Sequence, residues 1–260
     1  MNVDFHVHTN RSPDGVHRPR DMVKSAKRAG LDAIAITDHN RVFPWNEARD
    51  LSREFGIVVI PGLEGGNIIR EKHWISLGIR EYPAGIEIFS ILERIRNFGG
   101  LTVAPHPYTR LGYGNYADLG FEVVEALNGT DPESNRRVRY CPSIPEVAGS
   151  DAHSAPMLGF CWTSVDASET IESILEAVRK GLCIPQGTET PFSRSFFLYW
   201  EYFASRIFID PVHFVRSLPE FFQAPSVRPH GNAAQSGKPD PGKAGCKTDR
   251  NPCLFQPENR

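Results

Sequence analysis

His6 and His8 stand in the stretch Val3-Asp4-Phe5-His6-Val7-His8, and Asp151 and His153 in Gly149-Ser150-Asp151-Ala152-His153. On an extended backbone, residues two apart project to the same face. Each pair can therefore present two donor atoms to one metal ion. Five further side chains of metal-capable type lie between them: Asp14, His39, Glu64, His73 and His106. The set mixes imidazole nitrogen with carboxylate oxygen and has no thiolate. Such a set suits manganese, zinc or iron and disfavours calcium or copper(I). The chain reads first as a metalloenzyme.

The elements that must bring these residues together alternate along the text. Short apolar runs at 3–6, 33–37, 57–60, 73–79, 101–104, 122–127, 146–148 and 182–185 read as strands. Helices fall between them at 19–29, 44–55, 86–98, 132–140 (cut short by Pro142) and 168–180. Pro19 suits a first helical position, and Gly30, Gly56, Gly99 and Gly181 suit helix stops. In the last helix Ile171, Ile174, Leu175 and Val178 follow the spacing of one buried face. Strands alternating with helices predict a parallel sheet. Seven or eight units in fewer than 190 residues predict a compact α/β barrel. Sites in such barrels form at the C-terminal strand ends. Six of the nine histidines fall at the edges of expected strands, beside Asp14, Asp38, Glu64 and Asp151.

Three segments differ in character. Residues 1–188 carry the alternating pattern. Residues 189–224 crowd Phe196, Phe197, Tyr199, Trp200, Tyr202 and Phe203 into an aromatic, helix-like extension. In residues 225–260 proline and glycine make up 10 of 36 positions, and 6 basic against 3 acidic residues give +3. That composition predicts a disordered tail. The whole chain carries −2 at neutral pH, which gives no global reason to expect a nucleic-acid partner. No apolar run reaches the roughly 18 residues of a membrane span. The N-terminus lacks the pattern of a cleaved signal. The five cysteines are scattered, with no CxxC pair, and read as reduced thiols of a cytoplasmic protein.

In this order and spacing the motifs resemble those of the PHP (polymerase and histidinol phosphatase) domain family, small stand-alone phosphoesterase kind. The resemblance spans roughly residues 2–188. It rests on the HxH opening, Ser12-Pro13-Asp14-Gly15, Thr37-Asp38-His39-Asn40 and Pro61-Gly62-Leu63-Glu64. It continues through His73 before Leu77-Gly78, Pro105-His106-Pro107, Glu125-Ala126-Leu127-Asn128 and Gly149-Ser150-Asp151-Ala152-His153. It implies a distorted (β/α)7 barrel with two or three divalent ions. By motif, His6, His8, Glu64 and Asp151 would hold the first ion. Glu64 would bridge to a second, held also by His73 and His106. Asp14, His39 and His153 would hold a third. Asp14 stands where some members of the family carry histidine. Asp38 would orient a ligand from behind.

Glu64, His39, Asp151 and His153 are the candidate catalytic residues, and Arg110 and Arg11 the candidate substrate-binding residues. The implied activity is hydrolysis of a small phosphorylated metabolite or nucleotide, with nucleic-acid ends as a further substrate class. Two other readings are a metal-dependent C–N hydrolase of the amidohydrolase type and a non-catalytic PHP-like binding module. Amidohydrolases more often bridge their ions with a modified lysine, and no strand-end lysine fits here. A module without catalysis would be expected to have lost ligands.

Overall fold

The computed structural model describes residues 1–67, 70–138 and 144–191. The aromatic extension beyond 191 and the tail lie outside the described residues. Nine strands form one sheet: β1 (Asn2–Val7), β2 (Ala33–Ile36), β3 (Val58–Gly65), β4 (Trp74–Leu77), β5 (Leu101–Ala104), β6 (Val123–Asn128), β7 (Glu146–Gly149), β8 (Cys161–Val165) and β9 (Cys183–Gly187). Six helices accompany them among the described residues: α1 (Pro19–Arg28), α2 (Trp45–Phe55), α3 (Ile88–Asn97), α4 (Tyr116–Leu119), α5 (Pro132–Val138) and α6 (Ile171–Arg179). The spatial order is β7-β6-β5-β4-β3-β2-β1-β8-β9.

The sheet is not purely parallel. β4 runs against both β3 and β5, and β8 against both β1 and β9. The remaining seven strands share one direction. Only the eight residues 66–73 separate β3 from β4. That connection is shorter than the dozen or more residues a parallel crossover needs, so β4 must return antiparallel. β8 was not expected from the sequence. Its Cys161-Trp162-Thr163-Ser164-Val165 run is short and half polar, and every second side chain is only partly buried.

The sheet curls until β7 meets β1 again, making a nearly closed barrel. The seam is stitched by single bonds rather than a ladder. The His8 N–H donates to Ala152 O (2.9 Å), and the Ser150 N–H to Asp4 Oδ1 (2.8 Å). The Ala148 N–H reaches Thr163 Oγ1 on β8 (2.7 Å).

Three apolar clusters fix the layers. Alternation along β2 sends Ala33 and Ala35 into one cluster with α6, through Ile174, Leu175 and Val178. It sends Ile34 and Ile36 into another with α1 and α2, through Met22, Val23, Ala48 and Leu51. The third joins α3 (Ile91, Leu92, Ile95) to Leu63, Trp74 and Val124. With strands held from several sides, their C-terminal ends form one rigid rim. His73, at the start of the reversed β4, lies on that same rim because Glu64 pairs with Ile75 and Gly65 with Trp74.

Candidate metal centre

The rim gathers all nine candidate ligands into three adjoining groups. His6, His8 and Asp151 form one. Glu64, His73 and His106 form a second, and His8, Asp14, His39 and His153 a third. His8 thus belongs to two groups, where the motif reading had it in one. Glu64 spans them. Its Oε1 lies 2.9 Å from His73 Nδ1 and 3.1 Å from His106 Nε2. Its Oε2 lies 3.3 Å from His8 Nε2, 3.3 Å from His39 Nδ1 and 3.4 Å from His6 Nε2. Asp14 Oδ2 stands between His39 Nε2 (3.4 Å) and His153 Nε2 (3.3 Å). Asp151 Oδ1 lies 3.4 Å from the Nε2 of both His6 and His8.

Local backbone strain helps to aim these groups. His106 (φ 28°) and Asp151 (φ 50°) occupy the left-handed region, as does Asn40 (φ 53°). That region is uncommon for residues other than glycine and marks functional loops when held by surrounding structure.

The ring nitrogens that face away from the cluster are held by protein. His6 Nδ1 meets Glu125 Oε1 at 3.0 Å, and His8 Nδ1 meets Ser12 Oγ at 3.0 Å. His73 Nε2 meets Asn67 O (3.2 Å), His106 Nδ1 meets Thr109 Oγ1 (3.1 Å) and His153 Nδ1 meets Asp151 O (2.9 Å). Outer partners of this kind fix the orientation of metal-binding histidines. Asp38 accepts from Ser12 Oγ (3.1 Å), from the Thr9 N–H (2.7 Å) and from Thr9 Oγ1 (2.8 Å), so it stands behind His8 through one hydroxyl.

The donor set fits a cation. His6 Nε2 and His8 Nε2 sit 3.0 Å apart, aimed at each other within a buried site. Asp14 Oδ1 and His39 Nδ1 are buried without a hydrogen-bond partner. Burial opposes ionisation of Glu64, yet His73, His39 and His6 hold its pKa well below the ordinary carboxylate range. Histidine neighbours do the same, against burial, for Asp14 and Asp151. The histidines shift the other way. Burial depresses His6, but Asp151, Glu125 and Glu64 outweigh it and raise its pKa well above normal. Burial likewise opposes charging of His153, but Asp14 lifts it to about 10. Ionised carboxylates and proton-hungry imidazoles together describe a site that demands positive charge.

A cleft of about 290 Å³ opens over this rim. Its walls include Thr109, Leu111, Thr130 and Asp131, none of which sequence reasoning selected. Asp131 Oδ2 has no hydrogen-bond partner. Burial raises the pKa of this carboxyl, although the Ser134 N–H bond pulls it down. Thr130 Oγ1 donates to Asp151 Oδ2 (2.9 Å). Glu125 was read only as part of a motif, yet it backs His6 directly.

The two arginines are placed differently. Arg110 follows Thr109 and precedes Leu111, but it is not itself among the residues lining the cleft. Arg11 turns to α2, where its Nη2 contacts both Glu47 oxygens (2.9 and 2.6 Å), and it lies over the Phe43 ring. Its guanidinium is thus paired with a carboxylate on α2.

Comparison with known proteins bears on the family and the fold. Residues 4–110 match the model of the PHP domain, and residues 133–183 match that of the PHP-associated family. An uncharacterised protein of Methanocaldococcus jannaschii is 36% identical over 142 residues, which cover 49% of this chain and 82% of that protein. A PolC-type DNA polymerase III of Caldanaerobacter subterraneus is 44% identical over 64 residues, 24% of this chain and only 5% of the polymerase. In structure, the chain resembles a two-domain protein from Bacteroides vulgatus that contains a predicted PHP-like metal-dependent phosphoesterase. The TM-score is 0.59 at 20% identity, covering 72% of this chain and 65% of that one. An amidohydrolase from Chromobacterium violaceum gives 0.52 at 15% identity, covering 71% and 98%. These structural likenesses speak for the fold. With the PHP motifs on one rim and both family models matched along the chain, this protein belongs to the PHP-domain family.

Proposed function

We propose that the chain is a divalent-metal-dependent phosphoesterase that hydrolyses a small phosphorylated metabolite or nucleotide at a trinuclear site. The observation that carries this reading is Glu64, whose two oxygens face separate histidine sets at the floor of one cleft. His6, His8 and Asp151 would hold one ion, Glu64, His73 and His106 a second, and Asp14, His39 and His153 a third. Manganese, zinc or iron suits this donor set. When bound, such ions neutralise phosphoryl oxygens, make water acidic enough to attack, and stabilise the departing oxygen.

The chain's own side chains do the rest. Thr130 holds the Asp151 carboxylate in place. Asp131 offers Oδ2 on the cleft wall without a hydrogen-bond partner, in the position of a general acid for the leaving oxygen. A cleft near 290 Å³ is at the small end of ligand pockets, roughly 300–1,000 Å³. It therefore favours a small phosphate ester or one nucleotide end over a long polymer. A carboxylate rather than a lysine at the bridging position speaks against the C–N hydrolase reading.

The test is elemental analysis joined to a phosphatase screen of manganese- or zinc-loaded protein over phosphorylated metabolites and dinucleotides. We expect two or three ions per chain, one for each group filled, and activity abolished by chelation. Less than one ion per chain, with no activity after metal addition, would overturn the proposal.

A further inference from the structure

Glu125 lies on β6 and is 2% exposed. One of its oxygens faces a candidate ligand of the first group, and the other faces the backbone of a ligand of the second. Oε1 lies 3.0 Å from His6 Nδ1. Oε2 accepts the His106 backbone N–H (2.8 Å) and the Asn128 Nδ2–H (2.8 Å). His106 is a residue whose backbone needs such a hold, since its φ of 28° is strained for a side chain with a Cβ.

The fold also keeps the path open for this carboxylate. A Cβ at Gly149 would sit 2.4 Å from Glu125 Oε1 and 2.4 Å from His6 Cβ. Glycine at the end of β7 is what lets Glu125 and His6 meet.

We propose that Glu125 is a positioning residue that locks His6 into the tautomer able to bind metal and, with the same carboxylate, holds His106 in its group. This rests on the metal-centre reading above. A carboxylate can only accept, so His6 Nδ1 must carry the hydrogen and Nε2 keeps its lone pair for an ion. The Ser12 hydroxyl spends its hydrogen on Asp38 and the Thr109 hydroxyl on the His106 carbonyl, so both accept from the rings of His8 and His106, but as neutral oxygens. Among the described residues, Glu125 alone hydrogen-bonds one of these outer ring nitrogens through a side-chain carboxylate. Its bond to the ring is charge-assisted and correspondingly strong.

The decisive variant is Glu125→Gln. The amide oxygen would stay with the Asn128 and His106 donors, leaving the amide NH2 to face His6. His6 Nδ1 would then have to accept, and the hydrogen would move to Nε2, where it blocks the metal. Zinc affinity is measured on parent and variant by competition with a chelator, and ring nitrogen resonances by NMR on the zinc-loaded protein. We expect affinity to fall roughly 10–100-fold, the scale for loss of such an outer partner. We also expect the His6 ring of the parent to show a protonated Nδ1 and a metal-bound Nε2. Affinity within about twofold of the parent, well below that scale, would overturn the inference. So would a parent His6 with no hydrogen on Nδ1. Because this resonance is read on the parent, it decides the matter even if Glu125→Gln does not fold. Failure of the parent itself to take up zinc or manganese would instead overturn the metal-centre reading, and this inference with it.

Discussion

Glu64 is the residue on which most of the chemistry converges. A terminal ligand serves one ion, whereas a carboxylate facing two histidine sets disturbs both when lost. Glu64→Gln keeps the shape and removes the charge, and we expect turnover to fall at least about 100-fold, the scale for loss of a central electrostatic group. Activity within a few-fold of the parent would remove Glu64 from the bridging role. Asp131 calls for a subtler measurement. If its Oδ2 protonates the leaving oxygen, Asp131→Asn should slow esters of poorly acidic alcohols by about 10²-fold or more. It should barely affect a nitrophenyl ester, whose leaving group needs no proton. Equal losses on both would assign Asp131 to substrate binding instead. At this scale the sequence was readable where chemistry forces a pattern: alternate histidines on a strand, and a carboxylate and histidine two apart. It was silent on Asp131 and Thr130, and gave Glu125 no role beyond its motif. A single carboxyl or hydroxyl has no spacing signature, and its neighbours in the cleft come from distant strands. It gave no sign that Arg11 pairs with Glu47 on α2, since the two lie 36 residues apart.

The helices were legible because caps and periodicity are local. α1, α2, α3 and α6 lie where proline starts, glycine stops and apolar spacing put them, with ends shorter by at most three residues. Strand direction was not local in the same way. The short link before β4 does encode its reversal, yet α3 and α6 both join antiparallel strands despite a helical connection. β8 escaped because its polar positions are satisfied by partners far away in the chain, such as Thr163 Oγ1 taking the Ala148 N–H. α6 offers a test that separates scaffold from site. Its N-cap Thr170 accepts the Ser173 N–H at 3.2 Å on an exposed helix end, far from any ligand. Thr170→Ala should cost about 1 kcal/mol, lowering Tm by about 2–4 °C for a domain of this size. Turnover and metal content should stay unchanged. Loss of metal together with Tm would mean that α6 supports the rim more directly than its packing on the Ala33 and Ala35 face suggests.

For the whole molecule, a barrel that buries this many charges must have them balanced by something. In the metal-free protein that balance comes from protons. His153 is held at about 10, against 6.5 for an ordinary histidine, and His6, His8 and His73 are raised as well. A histidine whose pKa is raised by folding contributes stability that is complete below about 6.5 and is lost as pH climbs through its folded value. Asp4 acts in the same direction. Burial lifts its carboxyl from 3.8 to about 7, so the folded chain keeps a proton that the unfolded chain has already released, and stability declines across that interval. The depressed carboxylates Asp14, Glu64 and Asp151 are opposite in sign: their contribution is present above the ordinary carboxylate range and disappears only in stronger acid. Chelated protein should therefore be most stable under mildly acidic conditions and should lose Tm steadily between pH 6.5 and 10. Bound divalent ions would replace the protons with charge that does not titrate away, and metal binding itself strengthens as the imidazoles lose their protons. Thermal scans of chelated and manganese- or zinc-loaded protein across that range should diverge, with the gap in Tm widening as pH rises. Parallel curves would mean that the cluster on the rim is balanced by its own side chains, and that no ion is needed to hold the barrel's charges together.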